Sequence, residues 1–176
     1  RRIERFKALD RSTGEIVGGA FEQGEPVDFQ ELQRAAGETW RALHGALKAA
    51  GSPERPAKVI NIASIDGIAV NPLETYSYAA SKAGLIHLTR RLSLRLIEDH
   101  IAVTAIAPGA FVSDMNRAAR DHGDEVAKRI PAQRIGSTED MAGAAIFLAS
   151  RAGDYVVGAT LVVDGGVSLS SVSRPS

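Results

Sequence analysis

The most constraining feature of this 176-residue chain is a pair of short apolar runs on either side of one long amphipathic segment. The runs cover residues 58–64 and 101–107 and are rich in valine, isoleucine and alanine, which is typical of parallel strands buried on both faces. Between them, about residues 76–99, leucines recur at helical spacing and predict a core stripe, formed by Leu85, Leu88, Leu92 and Leu96. Two parallel strands joined by a helix make a right-handed crossover. The sequence therefore predicts a βαβ unit in an α/β fold.

Weaker patterns extend this unit along the chain. Apolar spacing from Phe29 to Leu47 predicts a helix over 29–50, with Asp28 as its N-cap. The polar run 137–140 opens a further helix, and residues 160–164 predict a last strand. Residues 110–136, which have no long apolar stripe, are predicted to form a lid over the carboxyl edge of the sheet.

The beginning of the chain carries no sustained periodicity. Residues 16–21 fit a strand or hairpin, but Gly18, Gly19 and Gly24 fit a loop or disorder equally well, and both alternatives stay open. The predicted organisation is an unassigned segment over 1–28, one domain over 29–170, and a frayed serine-rich tail over 171–176.

Composition excludes several classes of function. Lysine plus arginine equals aspartate plus glutamate at 21 each, so no net field favours nucleic acid or an anionic membrane. No stretch reaches the roughly 18 to 20 apolar residues that span a bilayer. The chain has no cysteine, and its four histidines are scattered, so no metal site is expected. These features predict a cytoplasmic protein with no metal, membrane or nucleic-acid partner.

Tyr78 and Lys82 stand four residues apart at the start of the long helix, so they share one face. A phenol exchanges its proton near neutral pH when a neighbouring cation stabilises the phenolate, and Lys82 is such a cation. Ser64 closes the preceding strand, and ligands of open α/β sheets bind beyond the carboxyl ends of strands. Alternatively, the pair is a chance spacing on a helix surface and the serine only caps a loop amide.

Five ordered motifs resemble the short-chain dehydrogenase/reductase family. They are NIASIDG at 61–67, YAASKAG at 78–84, APG at 107–109, RIGSTED at 134–140 and GATLVVDGG at 158–166. The resemblance implies a Rossmann-like doubly wound parallel sheet and an oxidoreductase that uses NAD(P)H, with NADPH slightly favoured. It further implies a small carbonyl or alcohol substrate and a homo-oligomer built on the helix that carries Tyr78.

The resemblance also implies roles for individual residues. Tyr78 would be the general acid or base, Ser64 would hold the substrate oxygen, and Lys82 would contact the nicotinamide ribose. The positions along the nicotinamide would be Tyr78, Lys82, Pro108, Gly109, Phe111 and Ser113. The family more often has an aliphatic residue and a threonine at the last two positions. Residues 108–115 resemble the branch that contains the 3-oxoacyl reductases of rhamnolipid-type pathways.

The family's Thr-Gly-x-x-x-Gly-x-Gly turn, its Asn-Asn-Ala-Gly strand end and its catalytic asparagine have no counterpart in this sequence. The sheet is therefore predicted to lack the N-terminal dinucleotide-binding half. Three functions follow: an NAD(P)-dependent reductase of a ketone or 3-oxoacyl substrate, a non-catalytic remnant with a structural or oligomerising role, and a serine hydrolase using Ser64. The third lacks the Gly-x-Ser-x-Gly elbow of such enzymes.

Overall fold

The structure is a computed structural model that describes the backbone of Ile3–Leu9 and Ile16–Glu22 and residues 41–71, 74–112, 119 and 121–170. The chain divides into two compact units, residues 1–44 and 45–176. Part of the predicted helix over 29–50 and the tail over 171–176 lie outside the described residues.

The first unit contains an antiparallel hairpin. Strand β1 (Ile3–Leu9) pairs with strand β2 (Ile16–Glu22), with Ile3 opposite Glu22. Of the two alternatives for residues 16–21, the structure shows the hairpin. The sequence predicted no strand over the charged residues 3–9. Because a ladder is made by backbone groups, Gly18 and Gly19 take part in it as well as any other residue and pair with strand β1.

The second unit contains a three-stranded parallel sheet in the order β3–β4–β5. Its strands are β3 (Ala57–Ile62), β4 (Ile101–Pro108) and β5 (Thr160–Val163). Ala57 lies opposite Ile101, and Ala105 lies opposite Thr160. The predicted parallel α/β sheet is confirmed. Strand β3 ends at Ile62, so Ser64 lies just beyond the strand instead of closing it.

Four helices accompany these strands in the described residues. They are α1 (41–50), α2 (Tyr76–Leu96), α3 (Gly123–Arg129) and α4 (Thr138–Ala149). Helix α2 ends three residues before the predicted Asp99, because a short 3-10 turn follows it and closes at His100, whose φ is 59°. The predicted cap of α4 is confirmed as a capping box between Ser137 and Asp140. Within the described parts of the chain, no helix is both long and apolar enough to cross a membrane.

Strand β4 is the centre of the core, with every residue from Ile101 to Ala107 buried. The predicted stripe of α2 is confirmed only in part, because Leu96 is buried and Leu85 packs against the core, whereas Leu88 and Leu92 are only half-buried and the other buried positions are Ile86, Thr89 and Ser93.

The small hydroxyl residues of α2 face the sheet because their polar groups are satisfied there. Thr89, which is 0% exposed, donates to the Leu85 carbonyl at 2.8 Å and accepts from the Asn61 amide at 2.9 Å. The Ser93 hydroxyl donates to the Arg90 carbonyl at 2.8 Å. The packing thus brings strand β3 and helix α2 together around a polar contact.

Candidate active site

The carboxyl ends of the three parallel strands lie at one edge of the sheet. Ser64 follows β3, Gly109 follows β4 and Asp164 follows β5. This edge is where open α/β sheets place their ligands. The predicted catalytic residues belong to the end of β3, and most of the predicted cofactor-binding residues belong to the end of β4.

Ser64 is only 7% exposed and begins the 3-10 turn Ile65–Gly67. Its side-chain oxygen accepts a hydrogen bond from the Asp66 amide at 3.2 Å. Ser64 is therefore a cap, as the simpler alternative predicted. A hydroxyl that accepts one bond still has an O–H to donate, so capping and holding a substrate oxygen are compatible roles.

The turn after Ser64 is pressed against helix α2 at Lys82. A Cβ atom on Gly67 would lie 2.6 Å from the carbonyl carbon of Lys82 and 2.7 Å from the Ala83 nitrogen, so only glycine allows this approach. No role for Gly67 was predicted from the sequence. Its signal is the Asp66-Gly67 dipeptide, a turn former directly after the serine.

Tyr78 and Lys82 lie in the first turns of α2, and both are half-buried. The Lys82 ammonium is 5.4 Å from the centroid of the Tyr78 ring and donates to the Ile62 carbonyl at 3.0 Å. The structure therefore brings the pair to the end of strand β3, two residues before Ser64.

The end of β4 is fixed against the end of β5. The Gly109 amide donates to the Val163 carbonyl at 2.9 Å, and a Cβ atom on Gly109 would lie 2.7 Å from the Asp164 Cβ. Phe111 pairs with Gly136 in a parallel bridge. Pro108, Gly109 and Phe111 thus follow one another along the carboxyl edge, whereas Ser113 lies outside the described residues.

Asp164 organises the turn that follows β5. Its two carboxylate oxygens accept from the Gly166 amide at 2.8 Å and from the Ser168 amide at 2.7 Å. Partial burial raises the pKa of Asp164, but hydrogen bonds from Ser168 and Gly166 outweigh that effect and hold the pKa below its ordinary value. The carboxylate therefore stays ionised and, by accepting these hydrogen bonds, stabilises the turn after β5.

The end of the predicted lid contacts the same turn. The Ala132 amide donates to the Gly165 carbonyl at 3.0 Å, and the preceding Ile130 is buried. This contact puts the end of the lid at the carboxyl edge, where the sequence predicted it. In the part of the chain that the structure describes, no group of three or more His, Cys, Asp or Glu side chains could hold a metal ion.

A family model described as enoyl-(acyl carrier protein) reductase matches residues 30–168. The rhamnolipids biosynthesis 3-oxoacyl-(acyl-carrier-protein) reductase of Pseudomonas aeruginosa is 41% identical over 126 residues, which are 70% of this chain and 49% of that protein. An uncharacterized short-chain type dehydrogenase/reductase of Sinorhizobium fredii is 35% identical over 180 residues, 99% of this chain and 32% of its own. The chain thus spans about half the length of the first relative and about a third of the second.

Solved structures are also similar to this chain in both sequence and fold. The RhlG/NADP active-site complex of Pseudomonas aeruginosa is 38% identical with a TM-score of 0.71, over 76% of this chain and 55% of that one. A gluconate 5-dehydrogenase from Burkholderia cenocepacia, in complex with NADP and tartrate, is 35% identical with a TM-score of 0.70, over 84% and 59%. The chain belongs to the short-chain dehydrogenase/reductase family.

Proposed function

We propose that this chain is the catalytic part of an NAD(P)-dependent oxidoreductase that interconverts a carbonyl compound and its alcohol. The observation that carries the proposal is the meeting of Tyr78 and Lys82 with the end of β3, where Lys82 bonds the Ile62 carbonyl beside buried Ser64. A proton donor, a cation and a hydroxyl donor at one strand end suit carbonyl reduction.

Each side chain has a separate task in this proposal. In reduction, the Tyr78 hydroxyl gives its proton to the substrate oxygen as the carbonyl becomes an alcohol, and in oxidation the phenolate takes the proton back. Ser64 donates to the same oxygen and polarises the carbonyl. Lys82 stabilises the phenolate that remains. A bound nicotinamide supplies or accepts the hydride at the substrate carbon.

The residues present suit the nicotinamide end of the cofactor. The half-buried Lys82 ammonium at the strand end can donate to ribose hydroxyls, and the segment from Gly109 to Phe111 runs along the same edge. No glycine-rich turn of the usual spacing occurs in this sequence, so these residues do not themselves supply a pyrophosphate cradle. NADP in several similar structures favours NADPH for this chain.

The proposed substrate is a ketone or a 3-oxoacyl compound. The loop after Ser64 and the first residue of α2 expose apolar surface, with Ile68 49% exposed, Val70 fully exposed and Tyr76 76% exposed. An acyl chain would bury such side chains on binding. The 41% identity to a 3-oxoacyl reductase supports the same substrate class. Comparing kcat/KM for reduction by NADPH of a 3-oxoacyl thioester and of the keto acid that corresponds to gluconate tests this choice, since faster reduction of the keto acid would contradict a 3-oxoacyl substrate.

A titration with NADPH and NADH, followed by nicotinamide fluorescence, tests the proposed cofactor site. We expect saturable binding that weakens in Lys82→Met, because the ribose loses its cationic donor. Arg91→Met is the matched control, since it removes an exposed cation from the same helix farther from the site. No binding by the folded protein would contradict the proposal and favour the non-catalytic remnant.

The oligomeric state and location are further parts of the proposal. Half-buried Leu88 and Leu92 and exposed Leu94 lie on α2, which supports a homo-oligomer built on that helix. Light scattering of the purified chain would test it, with a monomer as the contradicting result. A cytoplasmic location stays a prediction from the cysteine-free composition.

A further inference from the structure

The segment that follows strand β4 packs closely against Gly136, which lies just before helix α4. The Gly136 amide donates to the Ala110 carbonyl at 3.0 Å, and Gly136 pairs with Phe111. A Cβ atom on Gly136 would lie 2.5 Å from both Cε1 and Cζ of the Phe111 ring. The ring therefore lies directly on the Gly136 backbone, and any side chain at residue 136 would displace it.

Gly136 is itself held by an ion pair. The Arg134 guanidinium makes two hydrogen bonds to the Asp140 carboxylate, at 2.5 and 2.9 Å. The same carboxylate accepts from the Ser137 amide at 2.8 Å. The hydrogen bond from Arg134 is the largest of the effects that lower the pKa of Asp140 well below its usual range, so the pair stays charged. The Asp140 carboxylate thus bonds a residue on each side of Gly136, namely Arg134 and Ser137.

The ion pair lies at the protein surface, next to the contact between Phe111 and Gly136. The Arg134 side chain is 60% exposed and that of Asp140 is 29% exposed, and exposed pairs contribute little to folding. The adjoining cavity, lined by Phe111, Arg134 and Asp164 among others, has a volume of about 80 Å³. A second cavity of about 470 Å³, lined by Phe111, Gly136 and Ser137 among others, borders the same contact.

We propose that Gly136, held by the Arg134–Asp140 pair, positions Phe111 and thereby the backbone that faces the nicotinamide. This inference rests on the proposed function. Gly109 fixes the start of the segment through its bond to Val163, and Gly136 fixes its continuation two residues later. The aromatic ring at residue 111, where the family more often has an aliphatic side chain, is matched by the absence of a side chain at residue 136.

A rescue experiment tests the pairing. Gly136→Ala should raise the KM for NADPH by roughly tenfold or more, because displaced contacts of this kind cost rate and affinity, with a smaller change in kcat. Phe111→Leu removes Cε1 and Cζ, the two nearest of the three ring atoms that the new Cβ would meet, so Gly136→Ala/Phe111→Leu should return most of the rise in KM toward the value of Phe111→Leu alone. Arg134→Met should act in the same direction as Gly136→Ala.

Gly143→Ala, in the helix α4 that follows Gly136, is the matched control, since a Cβ atom there meets nothing within 4 Å. Amide hydrogen exchange at residues 109–112, measured without cofactor, should accelerate in Gly136→Ala and slow again in the double variant. An unchanged KM in Gly136→Ala, or a raised KM that Phe111→Leu does not restore, overturns the positioning role while the proposed function stands. If the unsubstituted protein binds no NADPH, the proposed function falls and the positioning role falls with it, whatever exchange shows.

Discussion

The ends of strands β3 and β5 face the same edge of the sheet, but they are built differently. At the end of β3, polar side chains of several residues converge: Ser64 holds one loop amide, and Lys82 reaches the Ile62 carbonyl beside Tyr78. At the end of β5, both oxygens of Asp164 are taken up by backbone amides, and Gly109 lies against its side chain.

Under the proposed function, the end of β3 carries out the chemistry and the end of β5 supports the fold. Donors at the end of β3 remain suited to bind a substrate oxygen and a ribose, whereas the groups at the end of β5 hold their own turn, the end of β4 and the end of the lid. Substitutions at the end of β3 should therefore change the reaction rate with little change in the free energy of unfolding. Substitutions at the end of β5 should change the free energy of unfolding.

Tyr78→Phe should produce the largest effect. Loss of the proton donor should lower kcat for reduction of a 3-oxoacyl thioester with NADPH by about 10²- to 10⁴-fold, while the urea midpoint stays unchanged. Tyr155→Phe is the control, because Tyr155 is a fully exposed phenol elsewhere on the chain. Equal turnover in Tyr78→Phe and the unsubstituted protein would show that the end of β3 takes no part in the reaction.

The positions of the residues at the end of β3 could be predicted from the sequence because they depend on local patterns. Tyr78 and Lys82 share a helix face by spacing alone, and Ser64 follows an apolar run. The parallel sheet followed from the same runs. The contacts at the ends of β4 and β5 join residues distant in sequence, such as Gly109 with Asp164 and Phe111 with Gly136, so no local pattern reveals them.

The buried face of helix α2 was predicted only in part, for a related reason. Leucine spacing favoured a stripe starting at Leu85, but the buried face includes Thr89 and Ser93. Hydrophobicity alone places threonine and serine outside. Their burial depends on Asn61 and on helix carbonyls that accept their hydrogen bonds, and that complementarity between two elements is not visible in either one.

Gly109→Ala should destabilise the support side. The new Cβ would lie 2.7 Å from the Asp164 Cβ and 2.8 Å from its Cα, so the backbone of one strand end must move, at a cost of about 1–3 kcal/mol. Urea denaturation would measure the loss. Gly45→Ala is the control, because open space surrounds its Cβ and the substitution should be neutral or stabilising. Equal stability of Gly109→Ala and the unsubstituted protein would contradict a rigid support.

Thr89→Val tests the polar contact that joins helix α2 to strand β3. It keeps the side-chain shape but removes the acceptor of the Asn61 amide, which should cost about 1 kcal/mol because Asn61 is only half-buried. Thr89→Ser, which keeps the hydroxyl, should retain more of this hydrogen-bond energy, although it loses a methyl group. If Thr89→Val were as stable as the unsubstituted protein, packing alone would hold α2 on β3.

Asp164→Asn should produce the smallest effect and the most diagnostic one. Because hydrogen bonds hold the pKa of Asp164 in the folded chain below its ordinary value, the ionised carboxylate stabilises the fold at pH above that ordinary value. This contribution is lost as the pH falls through the lowered pKa. Partial exposure limits it to less than about 1 kcal/mol. Urea midpoints should thus differ most between the variant and the unsubstituted protein near pH 7 and converge on acidification. A difference independent of pH would mean that the shape of the side chain, and not its charge, orders the end of β5.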